Sequence, residues 1–582
     1  MAAGSGPGEG RGEPVGFRVE TDVMVAMRDG VTLATDVWIP DGGEPRPALL
    51  VRLPYGKNGF PTTGYLPSTP SLVEAGYCVV WQDCRGMYRS NGEFRPQVDD
   101  PTDGADTIAW IREQSWCDGT VGMYGPSYLG WVQWAAATHG VEGLRAIAPT
   151  VSSTDAYLEP WYGPGGALSW QTAWMWSVQQ GLQLAMKAGR FESLAQLATL
   201  LADPQVHLAH LPLTDQPAVH DAAAWFPEYL RHPSRDEFWD GMSHLERVDE
   251  VAMPVLQVAG WFDPFLGSAL RSFVRLRNEG SPALRDEHRL VIGPWDHLNN
   301  EGVYYERNFG LSASSYAADL AGTHLRFFDR HLRGNAASDS GAPVRIFVMG
   351  IDQWRDEHDW PLPDTTYVDY FLESGGRANT LEGDGVLSTQ TPTSDAADTI
   401  VYDPTDPVPT VGGRILSPVG AGPVDQTPVE RRRDVLCFTT PVFDDPVDVT
   451  GPVTLVLHVT STAVDTDFTG KLVDVFPDGP TLYLTDGILR ARYRSSFREP
   501  ELLEAGRIYE LTLDLGATSN VFLPGHALRL EVSSSNFPRY GRNTNTGGVI
   551  AEDGPENVVV ATNRVLHGPS HPSRLVLPII HR

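Results

Sequence analysis

Gly125-Pro126-Ser127-Tyr128-Leu129-Gly130 follows the apolar run Val121-Gly122-Met123-Tyr124 and precedes Trp131-Val132-Gln133-Trp134-Ala135-Ala136-Ala137. Read locally, this is a strand, a tight glycine-flanked turn with serine at its apex, and a helix. A serine at such an apex is pushed out of the turn, and the N–H groups of its neighbours point the same way. That arrangement suits a nucleophile. The alternative is a serine that caps an ordinary helix. The second glycine sits one residue later than in the usual pattern, so partners elsewhere in the chain must decide.

Outward from this turn, continuous apolar runs recur at Ala48-Leu49-Leu50-Val51, Cys78-Val79-Val80-Trp81, Val255-Leu256-Gln257-Val258-Ala259 and Leu290-Val291-Ile292-Gly293. A helical pattern, Thr107 to Ile111, lies between Cys78–Trp81 and the run Val121–Tyr124. Strands without a polar face, alternating with helices, predict an α/β fold with a mostly parallel sheet covered on both sides. Upstream, Asp29-Gly30 between two strand-like runs predicts a hairpin. Phe191, Leu194, Leu197, Ala198 and Leu201 recur at helical spacing, with Trp161, Trp170, Trp174 and Trp176 just before them. That stretch reads as a helical insertion capping the strand ends. Beyond about residue 355 the period becomes two: Leu455, Leu457 and Val459 alternate with Val456, His458 and Thr460, and Leu528, Leu530 and Val532 alternate with Arg529 and Glu531. This predicts an all-β sandwich or jelly roll. The expected division is a flexible tail (1–16), a first core segment (17–150), a helical cap (151–249), a second core segment (250–354) and the β-sandwich (355–582).

The chain has 582 residues, 16 tryptophans and a formal net charge of -30. Such a polyanion repels phosphate backbones and anionic lipid, so neither nucleic acid nor a membrane surface is expected as a partner. Four cysteines, Cys78, Cys84, Cys117 and Cys437, lack metal-ligand spacing and read as free thiols of a reducing compartment. Met1 to Pro14 carries no apolar core of a signal peptide, and no run is long enough to span a membrane. A cytoplasmic protein is the expectation. An exposed sandwich edge would suit a homodimer.

A serine nucleophile needs a base, and the base needs an orienting carboxylate. The strand ending at Ala259-Gly260 runs into Trp261-Phe262-Asp263-Pro264-Phe265, and the one ending at Gly293 into Pro294-Trp295-Asp296-His297. Ser127, Asp263 and His297 therefore follow strand ends in the order that an α/β-hydrolase core requires. Asp296 is the rival acid, poorly placed to meet the imidazole of its own neighbour. Donors to the developing oxyanion are expected from the Tyr128 N–H and from the phenol of Tyr55, on the loop after another strand.

Asp99-Asp100-Pro101-Thr102-Asp103-Gly104 hints at a calcium loop, but the twelfth position is Trp110 and not a bidentate glutamate. The run is expected instead to open a capped helix. Asp83 and Arg85 are expected to brace loops beneath the site as a charge pair. Arg431-Arg432-Arg433 is too short for a nucleic-acid patch. No cofactor or metal is expected.

Together these residues carry a resemblance. Tyr55, Asp83-Cys84-Arg85-Gly86, Ser90-Asn91-Gly92-Glu93-Phe94, the Gly-Pro-Ser-Tyr-Leu-Gly turn, Gly-Trp-Phe-Asp and Gly-Pro-Trp-Asp-His resemble the cocaine esterase and X-Pro dipeptidyl-peptidase-like (CocE/NonD) family of serine hydrolases. Trp161 to Leu168, Phe347 to Asp352, Ala463 to Phe468 and Ser533 to Pro538 extend the likeness almost to the C-terminus. It implies a hydrolase core, an inserted cap and a C-terminal jelly roll. It also implies Ser127, His297 and Asp263 as triad, Tyr55 and Tyr128 as oxyanion donors, and Trp161, Trp176 and Phe265 around an aromatic acyl pocket. Leu416 is taken with them, in a segment (Arg414 to Ser417) that lacks the aromatic closing the pocket in the family. The loop Lys57 to Leu66 and Gln179 also depart from the family pattern. The expected activity is hydrolysis of a small ester with a bulky or aromatic acyl group. The alternatives are an α-amino-acid ester hydrolase or X-Pro dipeptidyl-peptidase, with Asp155 and Glu159 as carboxylates for a substrate ammonium, and a carbohydrate-binding protein with an inactive core.

Overall fold

Apolar runs with no polar face are stable only in strands buried on both sides, and the chain places them there. A computed structural model describes residues 16–59, 64–338 and 341–582. All but the last residue of the expected tail lies outside that range, as do residues 60–63 of the loop after Tyr55. Ten strands form one sheet: β1 (Phe17–Ala26), β2 (Thr32–Pro40), β3 (Arg46–Leu53), β4 (Cys78–Asp83), β5 (Cys117–Pro126), β6 (Leu144–Thr150), β7 (Leu256–Gly260), β8 (Arg289–Gly293), β9 (Val344–Val348) and β10 (Gln353–Glu357). Their order is β1-β2-β4-β3-β5-β6-β7-β8-β9-β10. Neighbours from β4 through β9 are parallel, and β1, β2 and β10 join antiparallel. The hairpin at Asp29-Gly30 forms between β1 and β2. Strand β6 gave no apolar signal, because Arg145 and Pro149 interrupt its short apolar run.

The whole of β4, β7 and β8 is buried. So is every residue of the helix Tyr128–Thr138, which is apolar all round because it lies beneath other elements. β3 lies between β4 and β5, so the chain order reverses there. Loops leaving the carboxyl ends of β3 and β5 diverge at such a point and leave a crevice, the usual ligand site of an open α/β sheet.

β6 and β7 are neighbours, with Thr150 opposite Val258. Between them the chain leaves the carboxyl end of β6 and builds helices that include Trp170–Lys187, Phe191–Ala202 and Trp225–Arg231. The helix Phe191–Ala202 occurs as its spacing predicts, but only Leu197 of the five periodic residues is buried, and Phe191 is 79% exposed at its first position. At the far end of Trp170–Lys187, the Lys187 ammonium donates to the carbonyls of Gly86 (2.8 Å) and Ser90 (2.5 Å), tying this helix to the core.

The C-terminal part is β-rich. Its long strand Val447–Ser461 bonds along one edge to Tyr509–Phe522 and along the other first to Arg574–Ile580 and then to Ala561–His567. A register shift at Pro452 interrupts the pairing with Tyr509–Phe522 and with Arg574–Ile580, a bulge that bends the strand locally. Alternation of this kind commonly leaves the polar face of a strand to solvent, and here it does not. Arg529 and Glu531 are buried with their strand, Arg529 on Glu430 (2.7 Å) and Glu531 on Lys471 (2.9 Å). Lys471 stands opposite Glu531 on the neighbouring strand and Glu430 comes from the short helix Thr427–Glu430, so the buried charges persist as pairs. One apolar cluster runs from Trp261 and Phe262 of the core into Leu455, Phe468 and Leu484 of this part.

Candidate active site

Ser127 closes β5 with φ +60° and ψ -125°, a conformation that side chains rarely adopt. The surrounding backbone enforces it. Ser127 N–H donates to Thr150 O (2.9 Å), and Ser127 O accepts from the N–H groups of Gly130 (2.9 Å) and Trp131 (3.0 Å). A Cβ on Gly130 would stand 2.5 Å from Ser152 Cβ, and one on Gly125 would stand 2.6 Å from Leu129 Cβ. Both glycines are therefore needed for the helix to start this close to the strand. The displaced second glycine does this packing task, since the next segment passes over position 130. The Ser127 side chain caps no helical N–H. It faces a cavity of about 520 Å³, counting its open mouth.

Asp263 follows β7 and His297 follows β8. Parallel pairing of these strands, Gly260 opposite Gly293, sets the two loops side by side. His297 Nδ1 lies 2.7 Å from Asp263 Oδ2, and Asp263 Oδ1 accepts the Phe265 N–H at 2.7 Å. The carboxylate is fully buried. Asp296, the rival acid, is occupied elsewhere: its Oδ1 accepts the N–H groups of Leu298 (2.8 Å) and Asn299 (2.7 Å). Phe265 stands edge-on to the imidazole, ring centres 5.1 Å apart, and lines the same cavity as Ser127. Among the described residues no hydrogen bond joins Ser127 Oγ to His297.

Tyr55, Tyr128, Trp161, Trp176, Phe265 and Leu416 all line that cavity. Tyr55 leaves the end of β3 on a loop that Asp83 holds by accepting the Lys57 N–H (2.8 Å). Asp83 thus braces the site, but not as a pair with Arg85. Arg85 bonds Asp103 (2.6 Å) and Asp29 (2.7 Å) instead. Burial pushes the Tyr55 phenol up to about 12, so it is a neutral donor at ordinary pH. Tyr128 begins its helix, where a backbone N–H has no intrahelical acceptor. Gln179 is exposed and plays no part in the cavity wall. Glu159 and Asp155 are buried and engaged by the protein: Glu159 with Arg271 (3.0 Å) and the Ser268 N–H (3.1 Å), Asp155 with Arg235 (3.0 Å) and Ser243 Oγ (2.6 Å). Burial, against the pull of Arg271, pushes the Glu159 carboxyl up to about 7. All four cysteines are buried and free. Among the described residues no group of His, Cys, Asp and Glu is arranged to hold a metal ion.

The model of the X-Pro dipeptidyl-peptidase (S15 family) matches residues 29–299, and that of the X-Pro dipeptidyl-peptidase C-terminal non-catalytic domain matches residues 335–576. The chain is 50% identical to cocaine esterase of Rhodococcus sp. (strain MB1 Bresler), covering 97% of this chain and 99% of the relative. It belongs to the family of that esterase. Among solved structures, an α-amino acid ester hydrolase is 25% identical with a TM-score of 0.77, covering 99% of this chain and 98% of the other. An aminopeptidase from a marine sediment archaeon (Thaumarchaeota archaeon) shares the fold, with a TM-score of 0.80 at 23% identity over 100% of this chain and 99% of the other.

Within this family member, the cavity also uses residues that the sequence reading missed. Gln97, at φ +69°, lines the cavity. Its N–H donates to Tyr128 Oη (2.8 Å), and its Oε1 accepts the Trp161 indole N–H (2.9 Å). Tyr128 Oη in turn donates to Asp100 (2.5 Å), which lies 3.3 Å from the buried guanidinium of Arg52. The expected helix cap is corrected here: Asp99 makes no capping bond, whereas Asp100 and Asp103 anchor Tyr128, Arg52 and Arg85. Nothing local to Pro96-Gln97-Val98 marks this role. Only the left-handed turn, invisible in the residue type, aims Gln97 inward.

Proposed function

We propose that this serine ester hydrolase cleaves small esters with a bulky or aromatic acyl group through an acyl-enzyme, with Ser127 as nucleophile, His297 as base and Asp263 as its orienting acid. In the first step Ser127 Oγ bonds to the ester carbonyl carbon, and its proton passes to His297 Nε2. The carbonyl electron pair moves onto oxygen, where the Tyr55 O–H and the Tyr128 N–H receive it. Collapse breaks the bond to the alkoxy oxygen, which leaves as the alcohol with the proton from His297. Water then attacks the acyl-serine, gives a proton to His297, and the acid departs as Ser127 is reprotonated. Asp263 holds the Nδ1 proton and balances the imidazolium in both halves. Each well-placed oxyanion donor is worth about a hundred- to thousandfold in rate.

The observation that carries this reading is the Asp263–His297 pair at 2.7 Å beside a cavity that also holds Ser127 in its strained turn and the neutral phenol of Tyr55. Trp161, Trp176 and Phe265 supply aromatic faces and edges suited to a flat acyl group. Leu416 closes the wall from the β-rich part, consistent with tolerance of other bulky acids. Cocaine, named for the 50% identical relative, belongs in the first ester panel. Ser127→Ala is expected to fold and to lose almost all turnover of an aryl ester and all labelling by a fluorophosphonate. Undiminished turnover would defeat the proposal.

The α-amino ester alternative draws less support, because Asp155 and Glu159 already meet arginines. The division at residues 150, 249 and 354, the jelly-roll topology of the last part and a homodimer belong to the same proposal. A cytoplasmic setting also belongs to it, supported by four thiols without a disulfide.

A further inference from the structure

A phenol serves an oxyanion hole only when its single proton points at the arriving oxygen. Its hydroxyl turns about the C–O bond, and its oxygen accepts as readily as it donates. Something must occupy the oxygen without taking the proton. An indole suits that task, since its N–H donates and cannot accept.

Trp176 Nε1 lies 3.2 Å from Tyr55 Oη and donates to it. The same indole stacks on the ring of Tyr128, centres 6.0 Å apart and planes 10° from parallel. Trp176 thus touches both residues read above as oxyanion donors, the hydroxyl of one and the ring of the other. We infer that Trp176 is a positioning residue of the oxyanion hole: by filling an acceptor site on Tyr55 Oη, it turns the Tyr55 proton toward the substrate oxygen. The inference rests on the proposed role of Tyr55.

Three further observations support it. The indole is tightly held: Trp161 meets it edge-on at 6.0 Å (86°), and Phe94 and Trp225 pack at 6.3 Å and 5.8 Å. Its helix is pinned at the far end by Lys187 on the Gly86 and Ser90 carbonyls. Burial keeps Tyr55 protonated, so the proton to be aimed is present. A donor bonded to the phenol oxygen also polarises the O–H and strengthens the bond it gives in turn. The consequence is mechanical. The helix Trp170–Lys187 does more than roof the acyl pocket, because seating it completes the hole. An acyl group that packs on Trp176 touches the residue that aims Tyr55, so acyl shape should register in kcat as well as in KM.

The test is a double-mutant cycle on p-nitrophenyl acetate, whose acyl group is too small to need the aromatic wall. Trp176→Phe keeps a packed aromatic ring and removes the N–H. It is expected to lower kcat about tenfold with KM changed less than about twofold, a part of the hundred- to thousandfold carried by an oxyanion donor. In a Tyr55→Phe background the same substitution should cost less than about twofold, since no proton remains to be aimed. An equal loss in both backgrounds would reduce Trp176 to packing and overturn the inference, while leaving the role of Tyr55 intact. An unchanged kcat for Tyr55→Phe alone would overturn the oxyanion reading and the inference with it. Should Trp176→Phe fail to fold, β-(3-benzothienyl)alanine at position 176 keeps the bicyclic shape and replaces the N–H with sulfur. The same pair of results is expected from it.

Discussion

Replacing Asp263 with asparagine alters almost no volume, yet the geometry around it forces a specific defect. Both carboxylate oxygens accept: Oδ2 from His297 Nδ1–H and Oδ1 from Phe265 N–H, each at 2.7 Å. An amide can accept with only one of the two atoms. If its oxygen stays on Phe265 N–H, its NH2 faces His297 Nδ1, which must then be the unprotonated nitrogen. The proton moves to Nε2, the atom that should receive the serine proton, and the base is lost. If the amide flips, its NH2 confronts the Phe265 N–H in a fully buried site, where an unmatched donor costs about 1–3 kcal/mol. The first orientation is therefore favoured, with the wrong tautomer. It also removes the charge that balances the imidazolium. A loss of about 10⁴ in kcat, near 5.5 kcal/mol in the barrier, is expected by analogy with serine proteases. The assay is turnover of a nitrophenyl ester, read by the nitrophenol released as the enzyme is acylated, alongside circular dichroism to show that the fold persists. A folded Asp263→Asn enzyme within about tenfold of the parent would refute the reasoning, since the tautomer would then not govern the rate.

Two further outcomes follow from packing and charge. Glu430 is fully buried, and its Oε2 meets Arg529 at 2.7 Å while its Oε1 has no partner. Burial, helped by the nearby Glu531, pushes its carboxyl up to about 7. The folded state therefore binds this proton more tightly than the unfolded state. The group's stabilisation is complete below about pH 4.5 and is lost as pH rises through about 7, at roughly 1.4 kcal/mol for each pH unit, ~3 kcal/mol in all. Glu430→Gln mimics the protonated form and should melt above the parent at pH 8, with the gap shrinking at pH 5; a gap that grows toward pH 5 would contradict this. Gly165 presses the chain after β6 onto the β-rich part, and a Cβ there would lie 1.7 Å from the carbonyl oxygen of Ile488, a backbone atom that cannot swing aside. Gly165→Ala should cost at least the roughly 1–3 kcal/mol of an overpacked core and lower the melting midpoint by several degrees, whereas an unaltered melt would show the seam to be pliable.

Much of the site could be read before any coordinates, because its key residues sit at strand ends. Burial on both faces of a strand leaves a local signature, and the runs Ala48–Val51, Cys78–Trp81, Val121–Tyr124 and Leu290–Gly293 fall inside β3, β4, β5 and β8. Ser127, Asp263 and His297 stand just past such ends, so order along the chain was enough to nominate them. What could not be read depended on which surface covers which. Arg529 and Glu531 look like a polar strand face until Lys471 of the neighbouring strand and Glu430 of a short helix meet them in a buried site. Phe191 looks like core until its helix end meets solvent. Gln97 looks like loop until a left-handed backbone turns it toward Trp161 and Tyr128.

The amino-acid sequence by itself determined the vocabulary of the proposed site: a serine in a tight turn, an acid and an imidazole after later strands, and a tryptophan-rich insertion. Those are local or ordered features, carried by periodicity, turn chemistry and succession. Only the tertiary structure decided that Trp176, 121 positions beyond Tyr55, gives its N–H to that phenol, and that Gln97 joins Tyr128 to Trp161. A hydrogen bond between distant residues depends on the relative placement of whole elements, and no spacing within one element encodes it.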